Sequence, residues 1–313
     1  YRLVCSAEDL SVRAYRCVVA DGEERQRTDP VWVWPREPAA APRNAGAAVL
    51  GGNVGDAASL LERLGDCAVL AEGRVQLTRS CTVTGRPLTF VGGEITLDLN
   101  GCTLTGQAVS PLALQGGALT VIDSAGGGGV TGGSGMPALS AGSGTLNLRA
   151  GVFQGGSAAP AVLAEGGAAV HIQGGSLMGG GASGKGAAGL RVALTGGSCA
   201  ILGGHLQPGA GKTAGVGLEL ASDAPVTLTG GTYDGYDGTA CGRKLNSLAA
   251  AGYGFVRNGQ PVDGGQMGET LLYGTFSVER VQHDTVYLDG SAPEGGDGTT
   301  PQTAVTTFAR ARE

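Results

Sequence analysis

Apolar and polar residues alternate along this chain in short bursts, each burst ends in glycine, and the whole phrase returns again and again. Leu97-Asp98-Leu99-Asn100-Gly101-Cys102-Thr103-Leu104 is followed by Leu146-Asn147-Leu148-Arg149-Ala150-Gly151-Val152-Phe153 and Val170-His171-Ile172-Gln173-Gly174-Gly175-Ser176-Leu177. Two further copies begin at Cys199 and Val226, and a looser one at Leu119. Apolar residues two apart are the period of a strand with one buried face. About seven to nine residues before each copy from Leu119 on lies a second apolar patch: Leu112-Ala113-Leu114, Ala138-Leu139, Ala161-Val162-Leu163, Leu190-Arg191-Val192 and Leu218-Glu219-Leu220. Each repeat therefore supplies two or three very short strands and no helix-length segment. Such a unit cannot bury its own apolar face, but stacked copies share a continuous core. The expected class is all-β: a parallel β-helix whose strands lie about 4.8 Å apart along the stack. Repeats of unequal length fit it better than a leucine-rich repeat, because extra residues are absorbed in turns that protrude.

Composition supports this picture. Glycine takes 60 of 313 positions, placed as pairs where the chain must corner sharply or adopt positive φ. A disordered glycine-rich chain would not carry 42% hydrophobic residues in alternation, and glycine is not every third residue as collagen requires. Net charge is −6 with no basic stripe, which argues against a nucleic-acid partner. No apolar run approaches the roughly 18 residues of a membrane helix, so membrane insertion of this segment is not expected. Seven cysteines without a CxxC or Cys/His spacing suggest neither a zinc site nor another metal or cofactor. Cys199 reads as a buried strand residue. Cys81 and Cys102, about one turn apart, read as neighbours in the stack, with bonding left to geometry.

The ends read differently. Asp56-Ala57-Ala58-Ser59-Leu60-Leu61-Glu62-Arg63-Leu64-Gly65 is a short amphipathic helix with Asp56 as N-cap and Gly65 as its stop. Placed before the first turn, with Leu60, Leu61 and Leu64 inward, it would cover the open edge of the stack. Residues 37–50 are a Pro- and Ala-rich linker. In 1–36, Tyr15-Arg16-Cys17-Val18-Val19, Asp21-Gly22 and the run from Thr28 to Trp34 resemble the Tyr-x-Cys strand and final strand of an immunoglobulin-like domain. That resemblance implies a partial β-sandwich with a tyrosine corner.

A second resemblance covers about 51–290. Ile95 to Leu104, Leu119-Thr120-Val121-Ile122-Asp123-Ser124 and Gly231-Thr232-Tyr233 resemble segments common in β-helix regions of large bacterial surface proteins. Leu248 to Val262 is similar to their closing segment. The resemblance implies a pectin-lyase-like, right-handed parallel β-helix over 51–289. Tyr287 to Gly290, Asp297-Gly298-Thr299 and Ala304 to Ala311 resemble the entry to a following β-helix module, at 290–313. The chain thus reads as a segment of a longer protein, secreted or displayed on the bacterial wall, with further modules of the same chain as neighbours.

Candidate chemistry lies on the outward strand positions. One row is expected to hold Asp98, Thr120, Asn147, His171, Ala200 and Thr227, and the next Asn100, Ile122, Arg149, Gln173, Leu202 and Thr229. Asn147, Arg149, His171 and Gln173 then form one polar ledge able to hydrogen-bond sugar hydroxyls; a solvated face is the plainer reading of the same residues. No catalytic residue is assigned. A glycosidase needs paired carboxylates and a lyase needs carboxylates with a basic residue, and Asp98 is the one acid in these rows. Asp234-Gly235-Tyr236-Asp237-Gly238 offers two acids, and reads as a turn sooner than a cation site. The expected function is structural and adhesive, with glycans or host surface molecules as partners. The alternative is a carbohydrate-active enzyme on the same fold.

Overall fold

The computed structural model describes residues 47–262, 264–281 and the short stretches 288–291, 296 and 304–307, together with the backbone of four strands near the start. The chain divides into two units, 1–43 and 44–313. In the first, Arg13–Tyr15 pairs antiparallel with Val31–Val33, and Val18–Asp21 with Glu24–Arg27. The Tyr15 corner, Cys17 and most of the 37–50 linker fall outside the described residues, as does most of 290–313.

The second unit is all-β: a parallel β-solenoid of about six turns with one short helix near its start. Its strands form three ladders. One runs from Gly52–Val54 through Leu88–Phe90, Leu112–Leu114, Leu139–Ala141, Val162–Ala164 and Leu190–Val192 to Leu218–Leu220. The next holds Val75, Ile95–Asp98, Leu119–Ile122, Thr145–Leu148, Ala169–Ile172, Ser198–Ile201 and Val226–Leu228. The third holds Ala47–Leu50, Cys81–Val83, Leu104–Gly106, Gly129–Thr131, Val152–Gln154, Ser176–Met178, His205–Gln207 and Thr232–Tyr233. The apolar patches ahead of each repeat are the first ladder, and the repeated phrase spans the other two.

The inward rows are continuous. Ile95, Leu119, Leu146, Val170, Cys199 and Val226 lie above one another, beside Leu97, Val121, Leu148, Ile172, Ile201 and Leu228, all of them buried. Cys199 fills its inward position, and burial pushes its thiol up to about 12.

One register differs from the sequence alignment. Leu97 pairs with Val121, not Leu119, so the first copy is displaced by two residues. Thr96 rather than Asp98 stands beside Thr120, and Asp98 stands beside Ile122. A shift of two keeps every side chain on its expected face, which is why alternation alone could not detect it. The two extra residues enlarge the corner after Asp98, where Asn100 (φ 47°) and Gly101 (φ 73°) form a left-handed pair.

Glycine acts here in two ways. At the corner formed by Gly174-Gly175, the second residue has φ 85° and the first would drive a Cβ to 2.4 Å from the Arg149 carbonyl oxygen. At another corner, Gly133, Gly156, Gly180 and Gly209 stack backbone on backbone. A Cβ on Gly156 would lie 1.6 Å from the Gly133 carbonyl oxygen, and one on Gly180 1.6 Å from that of Gly156. These positions need glycine for close approach and not for positive φ. Gly180→Ala is therefore expected to cost about 1–3 kcal/mol by overpacking. Gly184→Ala, which meets nothing within 4 Å, should stay near neutral. Urea denaturation of the pair checks the difference.

The ends are closed by non-repeating elements. The helix is Ala57–Leu64, and Leu60 and Leu64 are buried in the core while Leu61 packs partly against it. Asp56 caps it: the Ser59 N–H donates to Asp56 Oδ1 at 2.8 Å, and the Asp56 N–H donates back to Ser59 Oγ at 3.0 Å. Gly65 ends it with φ 52°. The helix packs on Ala47–Val54, Ala68–Ala71, Arg74–Leu77 and Cys81–Asp98, the first strands of the stack. At the far end the pairing turns antiparallel, with Leu271–Arg280 against Thr232–Asp237 and Tyr253–Arg257. Phe276 stacks on Tyr233 at 5.0 Å and meets Phe255 edge-on at 6.0 Å, so aromatic rings fill the last turn. No helix among the described residues is long and apolar enough to cross a membrane.

Candidate functional site

Polar side chains line part of the outward side of the second ladder. Thr96, Thr120, Asn147 and His171 stand in register on successive turns, continued by Ala200 and Thr227. Asn147 and His171 are half-buried, as strand residues flanked by neighbours must be, while Arg149 and Gln173 are exposed. The last two lie just past their strands, yet their backbone stays tied to the turn before. The Arg149 N–H donates to the Val121 carbonyl at 3.0 Å, and the Gln173 N–H to that of Leu148 at 2.7 Å. All four predicted residues therefore occupy two adjacent turns on a backbone held at both strand and corner. The Asn147 amide donates to Thr120 Oγ1 at 3.4 Å. Beside it a shallow groove of about 440 Å³ is lined by Glu94, Thr96, Ala118, Thr120, Thr145 and Asn147. Arg149 has no acidic partner among the described residues.

Asp98 does not belong to this ledge. It is fully buried at the first corner and collects donors from three segments. The Ser124 hydroxyl donates at 2.7 Å and the Ser124 N–H at 3.0 Å, joined by the Gln76 amide at 3.1 Å and the Asn100 N–H at 3.0 Å. Arg74 Nε lies 3.2 Å from Oδ2, near enough to pair by charge although its N–H is not aimed for a hydrogen bond. Burial pushes the Asp98 carboxyl up, but the donors from Ser124, Gln76 and Asn100 together outweigh it and hold the group below its ordinary value. Asp123 repeats the device one turn on, accepting from the Gly101 N–H at 2.8 Å and the Gly128 N–H at 2.7 Å. The acids of the Leu97–Asn100 and Ile122–Ser124 motifs are corner latches.

Two polar groupings escaped the sequence reading. On the first ladder Arg191, Glu219 and Asp237 stand on successive turns. Lys185 reaches Asp237 at 2.7 Å, and Arg191 lies 3.7 Å from Glu219. A groove of about 200 Å³ opens beside Lys185, Arg191 and Glu219. Burial raises the Asp237 carboxyl, but the Lys185 and Thr239 donors bring it below its ordinary value, so it is an anion near neutral pH and not a proton donor. On the third ladder His205 Nε2 lies 3.1 Å from Asp234, which also accepts from Thr275 Oγ1 at 2.7 Å. Asp234 and Asp237 thus lie in a strand, Thr232–Asp237, and answer to different partners; they form neither the expected turn nor a shared cation site. Among the described residues no group of three or more His, Cys, Asp and Glu is arranged to hold a metal. Arg191 and Glu219 were visible in the sequence as the odd residues of two apolar patches. Lys185 and Asp237, 52 residues apart, carried no such signal.

Comparison with family models, with curated proteins and with solved structures finds no match to this chain.

Proposed function

We propose that this chain is a structural and adhesive segment of a large secreted or wall-displayed bacterial protein, in which a stiff solenoid spaces its neighbours and presents a weak glycan-binding face. The parallel crossovers make a right-handed coil the expected hand, since strand–crossover–strand units are right-handed in about 98% of cases. With that hand, the coil is of pectin-lyase-like architecture. The antiparallel strands of the first unit are in keeping with the end of an immunoglobulin-like domain over 1–36. The 37–50 linker, the β-helix of 51–289 and the start of a further module at 290–313 complete the proposed order.

One observation carries the binding role: Asn147, Arg149, His171 and Gln173 share two adjacent turns on a rigid backbone, beside an open polar groove. Rigid strands place donors and acceptors more precisely than loops do. Arg149 adds positive charge, which favours acidic sugars and weakens with added salt, and the His171 ring adds a hydrogen-bonding edge beside it. An array of neutral and acidic glycans is expected to show weak binding to acidic members, lost in the Arg149→Ala, His171→Ala double variant and reduced at high salt. Binding unchanged by the double variant would remove the face from consideration.

The competing reading, a carbohydrate-active enzyme, has one observation in its favour. Glu219 and Asp237 are carboxylates on neighbouring strands, with Arg191 and Lys185 beside them. Release of products from a polysaccharide, abolished by Glu219→Gln alone, would establish that reading over the adhesive one.

A further inference from the structure

The dipeptide Asn-Gly occurs twice, at Asn100-Gly101 and Asn258-Gly259, and the fold gives the two copies opposite surroundings. Both are left-handed pairs, with φ 47° and 73° at the first and 54° and 72° at the second. Asn100-Gly101 is the corner beside Asp98. There the Asn100 side-chain amide donates to the Leu77 carbonyl at 2.9 Å, and the Gly101 N–H donates to Asp123 Oδ1 at 2.8 Å. The next corner lies over it, so a Cβ on Gly101 would come 3.3 Å from the Gly126 carbonyl oxygen.

Asn258-Gly259 is the two-residue tip of the hairpin that joins Tyr253–Arg257 to Gln260–Val262, where Arg257 faces Gln260. Such a tip favours Asn-Gly because both residues take positive φ. Asn258, Gly259, Gln260 and Pro261 are all exposed, and a Cβ on Gly259 would meet nothing within 4 Å. Among the described residues neither the Asn258 amide nor the Gly259 N–H has a hydrogen-bond partner.

We infer that Asn258 is a self-modifying residue of the folded chain, converting to aspartate and isoaspartate, and that the fold withholds the same reaction from Asn100. The Gly259 backbone nitrogen attacks Asn258 Cγ. A C–N bond forms, the Cγ–Nδ2 bond breaks, and ammonia leaves with the proton of the Gly259 N–H. Water then opens the cyclic imide at one of its two carbonyls. Opening at Cγ gives aspartate. Opening at the main-chain carbonyl gives isoaspartate, with the chain rerouted through Cβ and Cγ.

Attack requires rotation about the Asn258 Cα–C bond to bring the nitrogen to Cγ. A following glycine opposes this least, since it has no Cβ to restrict the backbone. An exposed tip with few contacts opens at low cost. At the corner, the same rotation would break both hydrogen bonds and move backbone that lies under the next turn. Conversion at the tip adds a carboxylate beside Arg257. Isoaspartate also lengthens the main chain by one methylene, in the hairpin whose first strand pairs with the closing strand Leu271–Arg280.

The test is to age the full chain in mildly alkaline buffer, folded and, separately, unfolded in guanidinium chloride. Digestion and tandem mass spectrometry then locate each NH2 group replaced by OH. In the folded chain Asn258 is expected to convert several-fold ahead of Asn100, and its peptide to accept methyl groups from an isoaspartyl methyltransferase. In the unfolded chain the two should convert at similar rates. Asn258→Asp, which has no ammonia to lose there, should leave the hairpin peptide unchanged in mass. A folded chain that ages with Asn258 intact, or with Asn100 converting as fast, would overturn the inference. An equal mass change in Asn258→Asp would assign the reaction to Gln260 and overturn it as well. Asn100 lagging equally in the unfolded chain would show that local sequence, and not the fold, protects it.

Discussion

Asp98→Ala is expected to destabilise the solenoid by about 3–5 kcal/mol, the scale for removing one partner from a buried charged network. The carboxylate has no exposure and binds the first corner together. With it gone, the Ser124 hydroxyl and N–H, the Gln76 amide and the Asn100 N–H lose their acceptor inside the fold, and Arg74 loses its counter-charge. Each stranded donor bears the full desolvation penalty. Asp98→Asn keeps the shape and one acceptor oxygen but turns an NH2 toward donors, so its cost should be smaller. The pH dependence follows from the lowered carboxyl. Since the folded-state value lies below the unfolded one, the stabilisation is complete above about pH 4 and is lost as pH falls through the folded value. Urea denaturation at neutral pH and near pH 3 should therefore show a gap between wild type and Asp98→Asn that narrows in acid. A gap that is constant with pH would mean that the charge at Asp98 contributes nothing.

Ile172→Asp is expected to have the larger effect. Ile172 is fully buried, with Leu148 on the turn before and Ile201 on the turn after. A carboxylate there has no donor in reach and must either remain charged without a partner or be protonated, at a cost beyond about 4 kcal/mol. A whole domain is stable by only about 5–15 kcal/mol, so a loss of that size leaves little of the central turns. Because each turn contacts only its neighbours, the damage should divide the stack and not spread evenly along it. Circular dichroism should show a lower and broader melt, and limited proteolysis new cuts near 172. Ile172→Val, which removes one methyl, should cost about 0.5–1.5 kcal/mol. An Ile172→Asp melt indistinguishable from wild type would contradict the register of the second ladder.

These two residues also mark the division between what could be read from the chain and what could not. Ile172 was legible as core because a strand with one buried face writes its period of two into the sequence, and each repeat writes it again. For the same reason the helix at Ala57–Leu64, the burial of Cys199 and the grouping of Asn147, Arg149, His171 and Gln173 on adjacent turns could be anticipated from local pattern and repeat spacing. Asp98 was placed in the wrong row, because a slip of two residues preserves alternation and only the hydrogen-bonded ladder distinguishes Thr96 from Asp98 as the neighbour of Thr120. The close-approach glycines at 156 and 180 read in sequence as turn residues; that they pack backbone against backbone is a property of stacked corners. The antiparallel aromatic closure and the Lys185–Asp237 pair join residues with no common period. Periodic pattern by itself determined the all-β class and the inward rows, since each depends on contacts that recur every turn. The tertiary structure alone decided the corner latches and the ends, because each depends on a contact made once.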